Sequence, residues 1–141
     1  MPPEKLSIVV FSGAFTKVHY ALCMASAALA IGKPVTLFFT MKATKALMKG
    51  DGAPGWHSLD PEEDGADAAA IDRDFALKGV ATFEALLEAC IELEARIMVC
   101  EMGLKAMGIG AKALREDVPV EEGGLVTFLS DASADGAMVF V

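Results

Sequence analysis

Three cysteines (Cys23, Cys90 and Cys100) and two histidines (His19 and His57) are the side chains of this chain with the readiest nucleophilic or metal-binding chemistry. The odd cysteine count, the wide separations and the lack of a C-x-x-C pair argue against a disulfide framework or zinc site, and for a reducing, cytoplasmic setting. The histidines offer no metal-ligand spacing, and no Ser-His-Asp arrangement can be assembled. No metal, cofactor, hydrolytic or phosphoryl-transfer centre is therefore expected. What remains is a thiol. Cys100 closes the apolar run Arg96-Ile97-Met98-Val99-Cys100, which reads as a buried parallel strand, and the Gly- and Met-rich stretch 101–109 reads as a helical turn after it. A cysteine there stands at the carboxyl end of a strand, where open α/β sheets bind ligands, and at the amino end of a helix, which favours a thiolate. Beside polarizable Met98, Met102 and Met107 such a thiolate suits sulfur transfer, holding sulfur as a persulfide and releasing it by a second exchange. The competing reading makes Cys100 a small buried hydrophobe and the methionines core packing. Glu101, if it faced the sulfur, would work against the thiolate.

The elements that must position Cys100 follow from periodicity. Residues 6–11 predict a first buried strand, 14–31 a helix stopped by Gly32 with Pro34 beyond, and 35–39 a second strand rich in β-branched and aromatic residues. Strand, helix, strand at this spacing is a βαβ unit with parallel strands. Thr40 is placed to cap a short helix through residue 47 or 48. An acidic, turn-rich loop insertion containing Trp56 is expected at about 49–75, as a flap or a floppy surface segment. A helix over 79–94 turns Val80, Phe83, Leu86, Leu87, Cys90 and Leu93 inward, making Cys90 core filler. A helical turn at 111–115, an edge-like strand at 118–120, a helix over 124–133 and a strand over 137–141 complete a single domain, 1–141. The fold class is a three-layer α/β sandwich with a mostly parallel sheet of about five strands flanked by helices. If the strands ending at Ser12-Gly13, Thr40 and Cys100 are neighbours, their loops converge on one pocket, with Met102 and Gly103 beside the thiol. The segment Ser12-Gly13-Ala14-Phe15-Thr16-Lys17 lacks both the phosphate-loop and the dinucleotide fingerprints. It reads either as an ordinary βα turn or as a source of backbone N–H groups and Lys17 for an anion.

Bulk composition bounds the partners. Apolar residues make up 54% of the chain and mean hydropathy is +0.45. The longest nearly apolar stretch, 20–31, is too short and Ala-rich to cross a bilayer, and no signal peptide is read, so the surplus predicts oligomer interfaces rather than a membrane span. The net charge is −8, and between residues 51 and 74 eight acids and one base give −7, leaving −1 for the rest. No basic stripe exists for a phosphate backbone, which disfavours nucleic acid.

The residues Val10-Phe11-Ser12-Gly13, Ala27-Ala28 with Gly32, Val35-Thr36-Leu37-Phe38-Phe39-Thr40, Cys100-x-Met102, Met107-Gly108-Ile109 and Gly123-Gly124 before a helix carry a resemblance over nearly the whole chain. The sequence resembles the DsrE/DsrF-like family, in particular its DsrE-like branch that carries a peroxiredoxin label. That resemblance implies a parallel α/β fold assembling into homo- or hetero-oligomers, often trimers or hexamers, and sulfur carriers or sulfurtransferases that exchange sulfur with protein donors and acceptors. The family's sulfur-accepting cysteine falls on Cys100. The chain departs from the branch pattern at Met41-Lys42-Ala43, where an aromatic-Gly pair often follows F-F-T, and at Gly103-Leu104, where Ser and Met often stand. No motif here supports the peroxiredoxin label.

Overall fold

Strands form where the sequence is apolar toward both faces. β1 (Leu6–Val10), β2 (Val35–Phe39) and β3 (Arg96–Cys100) are buried along nearly their whole length, as parallel strands covered on both sides must be. β4 (Val120–Gly123) and β5 (Ala137–Phe140) are partly exposed edges. The computed structural model describes all 141 residues. It joins the five strands, all parallel, in the order β4-β3-β2-β1-β5. Five α-helices accompany them: α1 (Phe15–Ala30), α2 (Ala68–Leu77), α3 (Phe83–Glu92), α4 (Glu101–Met107) and α5 (Leu125–Asp131). Three 3-10 segments cover Met41–Leu47, Gly55–Ser58 and Ala111–Ala113. This is the three-layer α/β architecture that the sequence predicts, with a wholly parallel sheet.

The two outer layers are unequal. Alternate strand residues (Ile8, Val10, Leu37, Phe39, Ile97, Val99) join α1, α3 and the first 3-10 segment in a core of 28 buried residues. Their neighbours in register, Val9, Phe38, Met98 and Cys100, face the other way and share a cluster of five with Phe128 of α5. That thin layer is a consequence of topology. β4 and β5 lie on opposite edges, so the chain between them must cross the sheet, and α5 is the crossing. Two contacts fasten it. The Phe128 ring stacks on Phe38 with centroids 4.8 Å apart. Asp131, the last residue of α5, accepts hydrogen bonds from Lys5 Nζ at 2.7 Å, Thr36 Oγ1 at 2.5 Å and Arg96 Nη1 at 2.8 Å. Burial alone would push this carboxyl up, but the three donors outweigh it and hold Asp131 down at about 2.

Differences from the sequence expectation lie mainly in the acidic segment. The stretch expected as a loop at about 49–75 contains the 3-10 turn Gly55–Ser58 and most of α2. Asp67 caps α2 by accepting from Ala70 N at 2.8 Å, and Asp72, itself buried, accepts from Phe83 N at 2.8 Å at the start of α3. Two of the eight acids of this segment are thus helix-starting acceptors. Trp56 is only 4% exposed. Its ring stacks on Phe83 at 4.9 Å, and its Nε1 donates to Glu84 Oε1 at 3.0 Å. Glu84 also takes two hydrogen bonds from Arg115, at 2.6 and 3.0 Å. Burial opposes the Glu84 charge, yet the Arg115 and Trp56 hydrogen bonds hold its carboxyl below the usual range. The segment is therefore an ordered flap against α1 and α3. Helix α3 runs shorter than its apolar pattern, and Val80 and Leu93, expected to face inward, lie outside it and are exposed. The edge strand begins at Val120 rather than 118 because the chain enters it through Pro119, which has no N–H for a ladder.

Because the Asp131 carboxyl is lowered on folding, it stabilises the fold above its unfolded value of about 4 and loses that effect as pH falls through about 2. Asp131→Asn is expected to lower unfolding free energy at neutral pH by about 1–2 kcal/mol. In urea titrations its deficit against the parent should shrink between pH 4 and pH 2; a pH-independent deficit would contradict this account.

Candidate functional site

The sheet order puts β3, β2 and β1 side by side, so Cys100, Thr40 and Ser12-Gly13 leave the same carboxyl edge as neighbours. Cys100 is the N-cap of α4, with extended backbone (φ −73°, ψ 121°), and its Sγ accepts a hydrogen bond from Gly103 N at 3.4 Å. A sulfur thus fills the capping position usually held by Ser, Thr, Asp or Asn. The residue is 2% exposed, whereas the neighbouring Glu101 is exposed to solvent. Gly103 is there because nothing larger fits. A Cβ on it would lie 2.7 Å from Thr40 Oγ1 and 2.9 Å from the main-chain N of Met41, so the missing side chain lets α4 pack directly on the end of β2. Met41 turns through a left-handed conformation (φ 49°) to make that contact, an uncommon choice for a residue with a side chain. Met98 shares the small cluster with Cys100, but Met102 is 57% exposed on α4 and Met107 is half-buried. Only one of the three methionines expected beside the thiol is therefore buried with it.

Ser12, Gly13 and Lys17 line a separate opening on the same edge, an open cleft of about 1170 Å³ beside the ends of β1 and β5. Cys100, Thr40, Met102 and Gly103 do not line it. The single pocket expected from three converging loops is thus two neighbouring features. The thiol group sits at the end of β3, and the cleft lies two strand steps away, roughly 10 Å at the usual spacing. Met41 belongs to both, since it lines the cleft and abuts Gly103. The turn into α1 is built for close approach. Ser12 Oγ accepts from Ala14 N at 3.1 Å, and Asp60 from the acidic flap pairs with the turn through Asp60 N to Gly13 O (2.7 Å) and Phe15 N to Asp60 O (3.3 Å). A Cβ on Gly13 would lie 2.8 Å from both the Asp60 carboxylate and the Lys42 stem, so glycine lets those two charges lie over the turn. Phe11, Tyr20, Lys42, Asp60 and Phe140 also line the cleft and were not singled out from sequence. Phe140 reaches the cleft because β5 pairs with β1, which no local pattern reveals.

The other two thiols belong to the core side. Burial, with Cys23 nearby, pushes Cys90 up to about 11, and burial raises Cys23 as well. No group of acidic, His and Cys side chains is arranged to hold a metal ion, and no helix is long and apolar enough to cross a membrane.

The chain is 26% identical to the uncharacterized protein YrkE of Bacillus subtilis, across 98% of this chain and 97% of that protein. It is 28% identical to the sulfur carrier protein DsrE2 of Allochromatium vinosum, across 72% and 77%. Among solved structures, the fold matches the ychN protein from E. coli with a TM-score of 0.54 at 18% identity, over 97% of each chain. It also matches a protein of unknown function, MTH1491, from Methanobacterium thermoautotrophicum, with a TM-score of 0.54 at 13% identity, over 97% and 98%. Residues 5–140, from the start of β1 to the end of β5, match the profile of the DsrE/DsrF-like family, and the chain belongs to that family.

Proposed function

We propose that this protein is a cytoplasmic sulfur carrier or sulfurtransferase that accepts sulfur as a persulfide on Cys100 and passes it to a partner. The observation that carries the proposal is the position of the Cys100 sulfur, at the carboxyl edge of the sheet with a main-chain N–H from Gly103 directed at it. Membership of the DsrE/DsrF-like family and similarity to a sulfur carrier support it. The Cys100 thiolate attacks the outer sulfur of a donor persulfide, the S–S bond breaks, and the donor leaves as a thiol. An acceptor thiolate then takes the outer sulfur and returns Cys100 to its starting state. Gly103 N–H supports negative charge on the sulfur, and Thr40 and Gly103 hold α4 against the end of β2. Because Cys100 is 2% exposed, the transfer requires α4 and the Met41 loop to part. Helix α4 is short and exposes Glu101, Met102, Lys105 and Ala106, so Leu104 is the one large side chain that its opening withdraws from the core.

The same burial favours a second reading, in which Cys100 is an inert core thiol and the protein is an oligomeric binding subunit. One experiment separates the two. After exposure to a polysulfide donor, intact-mass spectrometry of the folded parent is expected to show added sulfur that reducing agent removes, and Cys100→Ser is expected to show none. Equal loading of parent and variant, or thiol reactivity only after denaturation, sinks the carrier reading. Gly103→Ala should force α4 off Thr40 and Met41. A loss of about 1–3 kcal/mol in stability, with faster alkylation of Cys100 in the folded state, is expected from chemical denaturation and thiol-labelling kinetics.

The apolar surplus points to assembly under either reading. On α5, Val126 is 80% exposed, and Leu125 and Leu129 are also largely open, as is Met138 on β5. We assign this face to contacts between copies of the chain in a homo-oligomer such as a trimer or hexamer. Val126→Glu with Leu129→Glu is expected to reduce the mass measured by analytical ultracentrifugation to that of a monomer. An unchanged mass would move the interface elsewhere.

A further inference from the structure

The cleft beside β1 and β5 lies where the strand order reverses. The chain lays β2, β3 and β4 outward on one side of β1, then returns to place β5 on the other. The crevice outside the carboxyl ends of such a pair is where open parallel sheets hold ligands. With about 1170 Å³ it has room for a small organic molecule. Its walls are apolar: the Phe11 and Phe140 rings stand 5.3 Å apart, both are exposed, and Tyr20 faces solvent beside them. Its charges are chiefly cationic. Lys42 lies 3.5 Å from Asp60, while Lys17 has no carboxylate partner in the chain. In a molecule of net charge −8, a cleft lined by an unpaired ammonium group and three aromatic rings selects for negative charge on an apolar body.

We propose that this cleft binds a small organic anion with an apolar body, and that this anion is the persulfide donor to Cys100; the second half rests on the carrier reading above. Met41 connects the two places, since it lines the cleft and its main chain abuts Gly103, whose N–H bonds the Cys100 sulfur. Once α4 and the Met41 loop part, a donor anchored through its anionic group at Lys17 can extend its sulfur past Met41 to Cys100. The step balances without a further reactant. The Cys100 thiolate attacks the outer sulfur of R–S–SH, the S–S bond breaks, and R–S⁻ leaves and takes up a proton.

The test uses two probes that differ only in charge, 3-phenylpropanoate and 3-phenylpropanamide, titrated into the intact protein and followed by NMR. The acid is expected to bind about fivefold more tightly than the amide, with shifts at Ser12 and Gly13. Lys17→Met should abolish the difference, Phe140→Ser should weaken both probes, and Cys100→Ser should change neither. In parallel, the persulfide of 6-mercaptohexanoate, whose chain is long enough to span the two strand steps between cleft and thiol, should load Cys100 faster than the persulfide of its amide, an advantage that Lys17→Met removes. Acid and amide binding alike, no binding at the cleft, or a cleft found closed by a second copy of the chain would overturn the proposal, even if inorganic polysulfide loads Cys100. Binding of the acid with no sulfur loaded from any donor would leave the anion site standing and overturn both the donor role and the carrier reading.

Discussion

The fold depends on one crossing. Three strands are laid down outward from β1 in sequence, and the last must return to the far side of β1. The only helix available for the return is α5, seven residues long. Its hold on the sheet is one stacked ring pair, Phe128 on Phe38, and one carboxylate, Asp131, shared among Lys5, Thr36 and Arg96. The donors to Asp131 come from the start of the chain, β2 and β3, so a single half-buried charge gathers three separate segments under one helix end. Its three donors outweigh the cost of drawing the carboxylate partly out of water. The cleft exists because β5 completes its wall, and the face that holds Cys100 is covered because Phe128 reaches it.

Both features at the carboxyl edge are shaped by what two glycines leave out. At Gly13 the missing side chain admits Lys42 and Asp60 over the first turn, and at Gly103 it admits Thr40 and Met41 against the helix that Cys100 starts. The chain spends a left-handed methionine in the second case, a conformation that costs about 1–2 kcal/mol. At Gly103 the close neighbours are the Thr40 hydroxyl and the Met41 main chain, and at Gly13 they are the Asp60 and Lys42 side chains.

Much of this was legible in the sequence because it is local. The runs 35–39 and 96–100, the stop at Gly32 and the junction at Cys100 are short patterns whose physics does not depend on distant partners. The helix α2 was hidden because Asp67 and Asp72 read as part of a solvated charge run, while each in fact accepts a hydrogen bond that begins a helix. Val80 and Leu93 fit the apolar period of α3 but lie beyond its capped length. The separation of the thiol from the cleft was not legible, because it depends on the pairing of β1 with β5 across more than a hundred residues, a tertiary choice without a local signature.

One consequence follows from Cys100 being a helix cap. A capping side chain and the helix it starts are thermodynamically linked, so a change in the bond between Cys100 Sγ and Gly103 N–H must alter both. If the sulfur is converted to a persulfide, its charge and geometry toward that amide change, and the first turn of α4 gains or loses a contact worth about 1 kcal/mol. By reciprocity, a partner that grips or loosens the exposed face of α4 shifts the balance between loaded and empty sulfur by the same amount. The occupancy of a hidden atom would then be written into the order of a surface helix, where another protein can read it without touching the sulfur.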